Sequence, residues 1–455
     1  MQMIMDEGAL LGLCEYIVSK GLGRGASAVE VLARSASEME STIEMGQTSS
    51  VNRKTGDEIS IRIYSGRRMG SAFTNIASKK AAEEALDLAL KAASASTEDP
   101  DWVALPKPSA YSEISGLWHD SVLECEPSSV VELAGEFMDR AVEAEPGLIP
   151  AFGGAGVGYE KAAYANSSGI SHSEKETIAY TYLEAIAKTP SGVTPGVGSY
   201  EIKRSLDMDL ERAVEDIAGM IRICKETAEG STGKHPVIMH PMAYGQLLRY
   251  TLLEGVKGDN VARGKSKLAG RIGEKIASDL LTIVDDGTDT RGVNTSVADD
   301  EGVPRQRTPI FEEGVLRSFL WDTYWANKMG EESTGNARRS MRQGLVELAN
   351  TNMVVEPGRR GIEDIISEIG HGYLIRNVQG AHSSNPESGD FSVVGNPAIL
   401  VEDGEMVGAV HGLMVSGNVF ELLNQVVEIA ETPIVLQGLI GPEIVFDGVN
   451  VIARG

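Results

Sequence analysis

The chain has 455 residues, too many for one ordinary hydrophobic core, and this length predicts two or three domains. Hydrophobic residues make up 42% of the chain and charged residues 24%, the balance of a globular protein, and no apolar run is long enough to cross a bilayer. The formal net charge of −25 repels phosphate backbones and therefore disfavours nucleic-acid binding.

The N-terminal sequence and the cysteines both favour a reduced compartment. The first ten residues include Asp6 and Glu7 and lack the basic start of a secretory signal, so we expect a cytoplasmic protein. Cys14, Cys125 and Cys224 are odd in number and far apart, which argues against a disulfide framework and a paired zinc motif. We expect all three to be buried as small hydrophobic residues.

The first 205 residues predict a mixed α/β domain. The Pro- and Gly-containing segment 189–196 is the most linker-like interruption, and we place the domain boundary in the region 190–235, at 205/206. In chain order, periodicity predicts a helix over 10–19, a strand over 28–34, a hairpin over 59–73, helices over 78–95 and 130–144, strands over 161–165 and 177–187, and a helix over 207–225.

Residues 206–455 predict a β-rich domain, because short apolar runs alternate there with glycine-containing turns. The whole chain is therefore expected to be an α+β protein with two domains, 1–205 and 206–455. The predicted elements are a strand over 236–239, a helix over 242–256, and strands over 281–284, 309–312, 314–321, 398–401, 407–411 and 443–446.

Two glycine-rich segments resemble nucleotide-binding motifs without meeting their requirements. Gly153–Gly158 lacks the G-x-G-x-x-G spacing and precedes an extended pattern, so it predicts close backbone packing or a flexible loop. Gly230–Lys234 resembles the end of a P-loop. However, Ala228 stands where the first glycine belongs, and His235 replaces the Ser/Thr that holds magnesium. We expect a loop that precedes a strand.

The residues alone indicate no catalytic or metal site. The seven histidines form none of the short spacings typical of zinc ligands, and Gly-x-Ser-x-Gly does not occur. The acidic groups Asp285–Asp289 and Asp299–Gly302 lack the spacing of a calcium-binding EF-hand and are predicted as turns.

Three segments of the C-terminal half share their order and spacing with one protein family. They are Leu247–Asp259 with Arg263–Glu274 and Asp285–Thr288, then Asp299–Val303 with Arg307–Pro309, Glu313–Leu316 and Glu332–Arg339, and finally Asn385–Ser392 with Glu402–Glu405. With these segments the chain resembles the TldD/TldE (PmbA) peptidase family from about residue 25 to its end.

The resemblance implies a lost zinc site. The active subunit of the family carries His-Glu-x-x-x-His on the helix before Gly-Asp, and a late cysteine supplies a further ligand. Here the matching positions are Arg249, Tyr250 and Glu254, and no cysteine follows Cys224. Arg249 cannot release its proton to bind a cation, Tyr250 is a poor base, and Glu254 alone cannot hold zinc. The resemblance therefore implies no metal, no cofactor and no catalytic residue in this chain.

The resemblance also implies a function, and it leaves two alternatives open. It points to a non-catalytic TldE/PmbA-like subunit that pairs with a zinc-bearing TldD-like subunit to degrade or mature small unfolded peptides. We expect the peptide to bind as a strand added to an open sheet edge. One alternative is a stand-alone metallopeptidase whose site is built from His235, His240, His371 or His382. The other is a homodimer that binds peptides without cutting them, and whether the chain is itself an enzyme stays open.

The helix over 242–256 is expected to be regular. On a straight helix, positions 249 and 254 point about 140° apart, so an active site there needs a distorted helix. The active branch of the family commonly has glycine before its second histidine, whereas this chain has Leu253. We expect a regular helix through Leu253, with Leu248 and Leu252 in the core. The buried stripe comprises Tyr244, Leu247, Leu248, Thr251, Leu252 and Gly255.

Overall fold

The computed structural model describes residues 4–190 and 192–453, and it is an α+β protein with a mixed N-terminal domain and a β-rich C-terminal domain. The expected fold class is thus confirmed. Among the helices of the described residues, none is long and apolar enough to cross a membrane.

A twisted sheet of long antiparallel strands forms the N-terminal domain. Its strands follow the order β3-β2-β1-β4-β5-β6, and β7 pairs with β5 as well. The strands are β1 (Ala28–Glu44), β2 (Gln47–Ser65), β3 (Arg68–Thr74), β4 (Leu148–Asn166), β5 (Ser171–Thr189), β6 (Gly192–Val193) and β7 (Val197–Lys203). The helices of this part are α1 (Glu7–Gly23), α2 (Lys79–Ala95), α3 (Asp120–Leu123), α4 (Pro127–Ala144) and α5 (Leu210–Cys224).

Alternation along β1 gives the sheet two different faces. Its odd-numbered residues, such as Val29 and Met39, are buried against α1 and α2 at one end of the sheet and α4 at the other. Its even-numbered residues point the opposite way, where Leu32 packs against Tyr164 and against Met341 of the C-terminal domain. The second face of the sheet therefore meets the C-terminal domain.

The C-terminal domain contains sheets of nine, six and two strands. The nine-stranded sheet follows the order β16-β17-β20-β24-β8-β15-β18-β19, with β21 also paired to β24, and the six-stranded sheet follows β11-β10-β9-β14-β23-β22. Up to residue 355 the strands are β8 (Gly233–Met239), β9 (Ile283–Asp286), β10 (Arg307–Glu312), β11 (Val315–Leu316), β12 (Ala337–Arg339), β13 (Val346–Leu348) and β14 (Met353–Val355).

The remaining strands are short and are separated by tight turns. They are β15 (His371–Ile375), β16 (Val378–Gln379), β17 (Asp390–Gly395), β18 (Ala398–Glu402), β19 (Glu405–Ala409), β20 (Met414–Asn418), β21 (Val426–Ile429), β22 (Ile434–Leu436), β23 (Leu439–Gly441) and β24 (Ile444–Ile452). The helices are α6 (Pro241–Tyr250), α7 (Leu252–Gly255), α8 (Gly258–Ala262), α9 (Thr323–Met329), α10 (Ile362–Ser367) and α11 (Val419–Asn424), with a 3-10 turn at Ala381–Ser383.

The two domains share one hydrophobic cluster. Ile217 and Ile221 of α5 and Phe137 of α4 join it from one side, and Ile238 and Leu374 join it from the nine-stranded sheet. Because α5 packs on both domains, the predicted boundary at 205/206 stays a prediction. The segment 189–196, expected to be linker-like, instead connects β5 to β6 and β7 of the same sheet, while its Ser191 lies outside the described residues.

Candidate functional site

Helix α6 begins where strand β8 ends. His240 caps the helix because its Nδ1 accepts a hydrogen bond of 3.1 Å from the backbone N–H of Met242, and Pro241 occupies the first helical position. Tyr244, Leu247 and Leu248 follow at helical spacing and are buried in the C-terminal core. His240 and Pro241 thus determine where this helix starts, and the apolar spacing determines its buried face.

The regular helix expected through Leu253 is wrong, because α6 ends at Tyr250. Thr251 has φ −132° and ψ −81°, and the four-residue helix α7 starts after it. The hydroxyl of Thr251 donates a hydrogen bond of 2.6 Å to the carbonyl oxygen of Leu247. The expected burial is confirmed, since Leu248 and Leu252 are both in the core. A backbone distortion between positions 249 and 254 is therefore present.

Packing beyond α7 explains why the helix cannot continue straight. Gly258 lies so close to the Trp321 ring that a Cβ at this position would be 1.9 Å from a ring carbon. The hydroxyl of Ser266 donates a hydrogen bond of 2.5 Å to the carbonyl oxygen of Gly255. These tertiary contacts fix the chain after Thr251 and outweigh the helical periodicity of the sequence.

The three positions that match the zinc motif do not converge. The Arg249 side chain is exposed, and its guanidinium lies 5.7 Å from the centre of the Tyr250 ring. Glu254 accepts hydrogen bonds of 2.5 Å from Lys257 Nζ and 3.3 Å from Asn260 Nδ2. Arg249 lines a cavity, whereas Glu254 is held on the other side of the break by its own neighbours. Nothing in this arrangement resembles a metal centre.

That cavity has a volume of about 740 Å³ and lies between the N-terminal sheet and the C-terminal domain. Arg249 and Leu253 line it from the broken helix. The even-numbered face of β1, β4 and β5 lines the opposite wall, and the turn after β22 lines a third side. Carboxamide side chains line it from helix α6 and from several loops: Gln246, Asn294, Asn350, Asn377 and Gln437. The cavity is thus rich in groups that both donate and accept hydrogen bonds.

Charged groups on the sheet wall pair across to the C-terminal domain. Arg34 of β1 donates a hydrogen bond of 2.6 Å to Asp300 and lies 3.5 Å from the carboxylate of Glu160. Burial raises the pKa of Glu160 to about 7, with further contributions from the charges of Glu176 and Asp300. The cavity wall therefore carries a carboxyl group that titrates near neutral pH.

A buried ion pair joins the two domains beside the cavity. Glu30 of β1 and Arg339 of β12 are both fully buried and are hydrogen-bonded to each other. Tyr164 donates a hydrogen bond of 3.0 Å to the same carboxylate, and Arg62 lies 3.3 Å from it. Burial by itself raises the pKa of Glu30, but Arg339 and Arg62 outweigh burial and hold the pKa below its usual value. Glu30 is therefore ionised and paired.

The C-terminal side of this region buries several carboxyl groups close together. Asp299 accepts hydrogen bonds of 2.9 Å from the backbone N–H groups of both Glu301 and Val303. Burial, together with the charge of Glu301, raises the pKa of Asp299 and of Asp322 to about 7 in each case. The predicted turn at Asp299–Gly302 is confirmed, and its carboxylate holds the loop through backbone hydrogen bonds.

Other expected features have mixed outcomes. The three cysteines are buried, as predicted. Gly153–Gly158 lies inside β4, where a Cβ on Gly154 would be 2.3 Å from a backbone oxygen of β1, so close packing is confirmed and the flexible loop is wrong. Of the predicted loop Gly230–Lys234, residues 230–232 form a loop, whereas Gly233 and Lys234 already belong to β8. Asp285 and Asp286 end strand β9, so the predicted turn starts only at Gly287.

The histidines of the alternative metal site are only partly brought together. His235 and His371 are neighbours, with ring centroids 5.1 Å apart. His240 is buried as the cap of α6, and His382 is exposed on the 3-10 turn Ala381–Ser383. In the part of the chain that the structure describes, no group of three or more His, Cys, Asp or Glu residues could hold a metal ion.

The cavity residues on the sheet escaped the sequence analysis. Arg34, Glu160, Glu174 and Glu176 are polar residues at even positions of strands whose odd positions include apolar residues. This alternation is normally read as a solvent-facing sheet surface. The charged residues at even positions of these long strands were the only sign in the sequence that another part of the protein covers this face.

Similar proteins were found both by sequence and by structure. The sequence matches the PmbA/TldA metallopeptidase C-terminal domain over residues 232–453 and PmbA/TldA metallopeptidase domain 1 over residues 29–96. The crystal structure of TldE from Thermococcus kodakarensis superimposes with a TM-score of 0.93 at 33% identity, covering 97% of this chain and 100% of that one.

Curated relatives extend the same pattern. An uncharacterized protein of Methanocaldococcus jannaschii is 28% identical over 86% of this chain and 88% of its own length. The metalloprotease TldD homolog of Buchnera aphidicola is 33% identical, but the match covers only 44% of this chain and 41% of that protein. A relative in Saccharolobus solfataricus is named a zinc metalloprotease TldD homolog. Domain matches, fold and sequence identity together show that this chain belongs to the PmbA/TldD metallopeptidase family.

Proposed function

We propose that this chain is a non-catalytic, TldE-like subunit that pairs with a zinc-bearing, TldD-like subunit to cleave small unfolded peptides. The observation that carries the proposal is the α6–α7 segment. It has the broken backbone that such a site requires, but Arg249, Tyr250 and Glu254 stand in place of the His-Glu-x-x-x-His residues. The zinc of the complex is assigned to the partner.

The side chains at these positions support this assignment independently of the sequence match. Arg249 presents a permanent positive charge to the cavity, which repels a metal cation. The carboxylate of Glu254 is already bound by Lys257 and Asn260. Restoring a metal there would require breaking those hydrogen bonds as well as replacing the ligands.

The cavity supports a role in holding peptide. Its volume of about 740 Å³ is within the range of ligand-binding sites. The carboxamides of Asn350, Asn377 and Gln437 can bond the N–H and C=O groups of an extended backbone without reading its side chains. In the six-stranded sheet, β22 is an edge strand whose following turn lines the cavity, and it is our choice for strand addition.

Reconstitution tests the proposal. The purified chain, its TldD-like partner and the mixture would each be incubated with an unfolded peptide, with and without a chelator. We expect no cleavage by this chain alone and chelator-sensitive cleavage by the mixture. The partner alone is the matched control, because it reports any activity that does not need this subunit.

Two outcomes would overturn the proposal. Chelator-sensitive cleavage by this chain alone would instead support the stand-alone metallopeptidase, provided that contaminating peptidases have been removed. Failure of the two chains to associate, with peptide binding by a dimer of this chain, would support the homodimer that binds peptides without cutting them.

A further inference from the structure

A second group of potential ligands lies away from the cavity, at the exposed end of strands β8 and β15. The two strands are parallel, and Tyr373 pairs with Val237. Two residues earlier on each strand, His371 and His235 therefore lie side by side on the same face. Their ring centroids are 5.1 Å apart, and neither ring is fully buried.

Both imidazoles direct the same nitrogen at one hydroxyl group. Ser231 Oγ is 3.3 Å from Nε2 of His235 and 3.0 Å from Nε2 of His371. Ser231 is held in this place because its backbone N–H donates a hydrogen bond of 2.7 Å to the hydroxyl of Tyr373, which is fully buried. Three potential metal ligands, the two Nε2 atoms and Ser231 Oγ, are thus close together at an exposed position.

The spacing of these donors suits a metal ion. Ligands at bond lengths of about 2.1 Å in tetrahedral or octahedral geometry lie roughly 3.0 to 3.4 Å from one another. The two measured separations of 3.3 and 3.0 Å fall within this range. A single serine hydroxyl has only one proton, so it cannot donate to both nitrogens at once. The other nitrogen either donates a proton to Ser231 Oγ or, when its ring carries the proton on Nδ1, presents a lone pair that can bind a cation.

A carboxylate lies behind one of the rings. Nδ1 of His371 is 3.7 Å from the carboxylate of Glu402, its antiparallel partner on β18. This distance is too long for a hydrogen bond, so the carboxylate acts on the ring only through its charge, which favours a proton on the nearer nitrogen, Nδ1.

We propose that His235 Nε2, His371 Nε2 and Ser231 Oγ form a binding site for a divalent transition-metal ion such as Zn²⁺ or Cu²⁺. Imidazole nitrogen selects these ions over Mg²⁺ and Ca²⁺. Two histidines and one hydroxyl leave coordination positions for water. The site is separate from Arg249, Tyr250 and Glu254, and the proposal departs from the expectation that this chain binds no metal.

Zinc titration of the full-length chain tests this site. After chelator treatment and dialysis, Zn²⁺ binding would be measured by calorimetry in millimolar Mg²⁺, which occupies non-specific carboxylates on this acidic protein. We expect one Zn²⁺ per chain, and a Cu²⁺ electron paramagnetic resonance spectrum with nitrogen couplings. His235→Gln and His371→Gln should each weaken binding at least about tenfold. Ser231→Ala should weaken it less, because the two imidazole ligands remain.

His382→Gln is the matched control, because His382 is exposed and lies on a different segment. Circular dichroism of each variant would show that it is folded. Absence of saturable binding in the wild type would overturn the proposal and leave a hydrogen-bonded cluster only. Equal binding by the double variant His235→Gln/His371→Gln would also overturn it. The double variant should still support cleavage with the TldD-like partner, so this test is independent of the proposed function.

Discussion

The broken helix α6–α7 and the group of His235, His371 and Ser231 belong to the same domain but differ in what they offer a metal ion. The helix has the backbone distortion and faces a large cavity, yet Arg249 and Glu254 are unsuitable as a ligand pair. The group of His235, His371 and Ser231 has two imidazoles on adjacent strands, yet it is exposed to solvent. The comparison shows that a distorted backbone and suitable metal ligands can occur at different places in one domain.

The largest expected effect concerns the helix framework. Leu252 is fully buried just after the break, so Leu252→Ala should lower the free energy of unfolding by about 2–5 kcal/mol through loss of burial and formation of a cavity. Denaturant unfolding measures this change. Leu280→Ala is the control, because the Leu280 side chain is 53% exposed and its loss should cost about 0.5 kcal/mol or less. Equal costs would show that the segment is not fixed by packing.

The buried carboxyl groups of the cavity region predict a pH effect of intermediate size. The pKa of Asp322, raised to about 7 by burial and by Glu301, exceeds its unfolded value, so the folded state binds the proton more tightly. Stability contributed by this group is present below pH 4 and is lost as the pH rises to 7. Asp322→Asn keeps an acceptor for the N-cap bond to Trp325 N–H.

The variant should therefore gain stability relative to wild type, by about 1–3 kcal/mol, between pH 4 and pH 8. Thermal or denaturant unfolding across this range measures the difference. Asp279→Asn is the matched control, because Asp279 is exposed. A constant difference between Asp322→Asn and wild type would contradict the raised pKa.

The third prediction tests whether the chain differs from a zinc-binding relative only in the ligand side chains at positions 249, 250 and 254. The triple variant Arg249→His, Tyr250→Glu, Glu254→His restores the motif on a helix that is already broken at Thr251. Leu253 consequently does not prevent the distortion. We expect measurable zinc binding, at least about tenfold tighter than in the parent, but no peptidase activity, because the third protein ligand is absent. Zinc binding would be measured with His371→Gln added to the triple variant, which separates binding at the restored motif from binding at His235 and His371. Turnover that a chelator abolishes would show that only these three side chains separate the chain from an active peptidase.

The smallest effect is expected for the native helix side chains. Arg249→Ala should change the free energy of unfolding by about 0.5 kcal/mol or less, since this side chain is exposed. In the reconstituted complex it should leave the cleavage rate nearly unchanged, whereas loss of a general base costs about 10²- to 10⁴-fold. A large loss of turnover with unchanged peptide binding would place Arg249 in the reaction.

Local patterns were sufficient for much of the fold. The 59–73 hairpin and the 78–95 helix were predicted because turn residues and periodicity lie within a few positions of one another. The break at Thr251 was missed because the stripe from Tyr244 to Gly255 continues at helical spacing through it. The contacts that impose the break, from Trp321 and Ser266, come from later in the chain.

The candidate sites show the same contrast between local patterns and contacts from distant parts of the chain. The mismatch at 249, 250 and 254 was visible in the sequence because those positions lie on one segment. The pairing of His235 with His371 depends on strand register between residues 136 apart and has no local pattern. Likewise, the cavity wall combines strands β1, β4 and β5 with loops of the second domain, so its residues could not be grouped before the topology was known.

The buried pair Glu30–Arg339 opposes separation of the two halves of the molecule. Separating the two halves would break the contact of Arg339 with Glu30, whereas Arg62 and Tyr164 of the N-terminal sheet would stay beside the carboxylate. The hydrophobic cluster shared by α4, α5 and the nine-stranded sheet adds to this resistance. Both contacts oppose a change in the width of the cavity between the N-terminal sheet and the C-terminal domain.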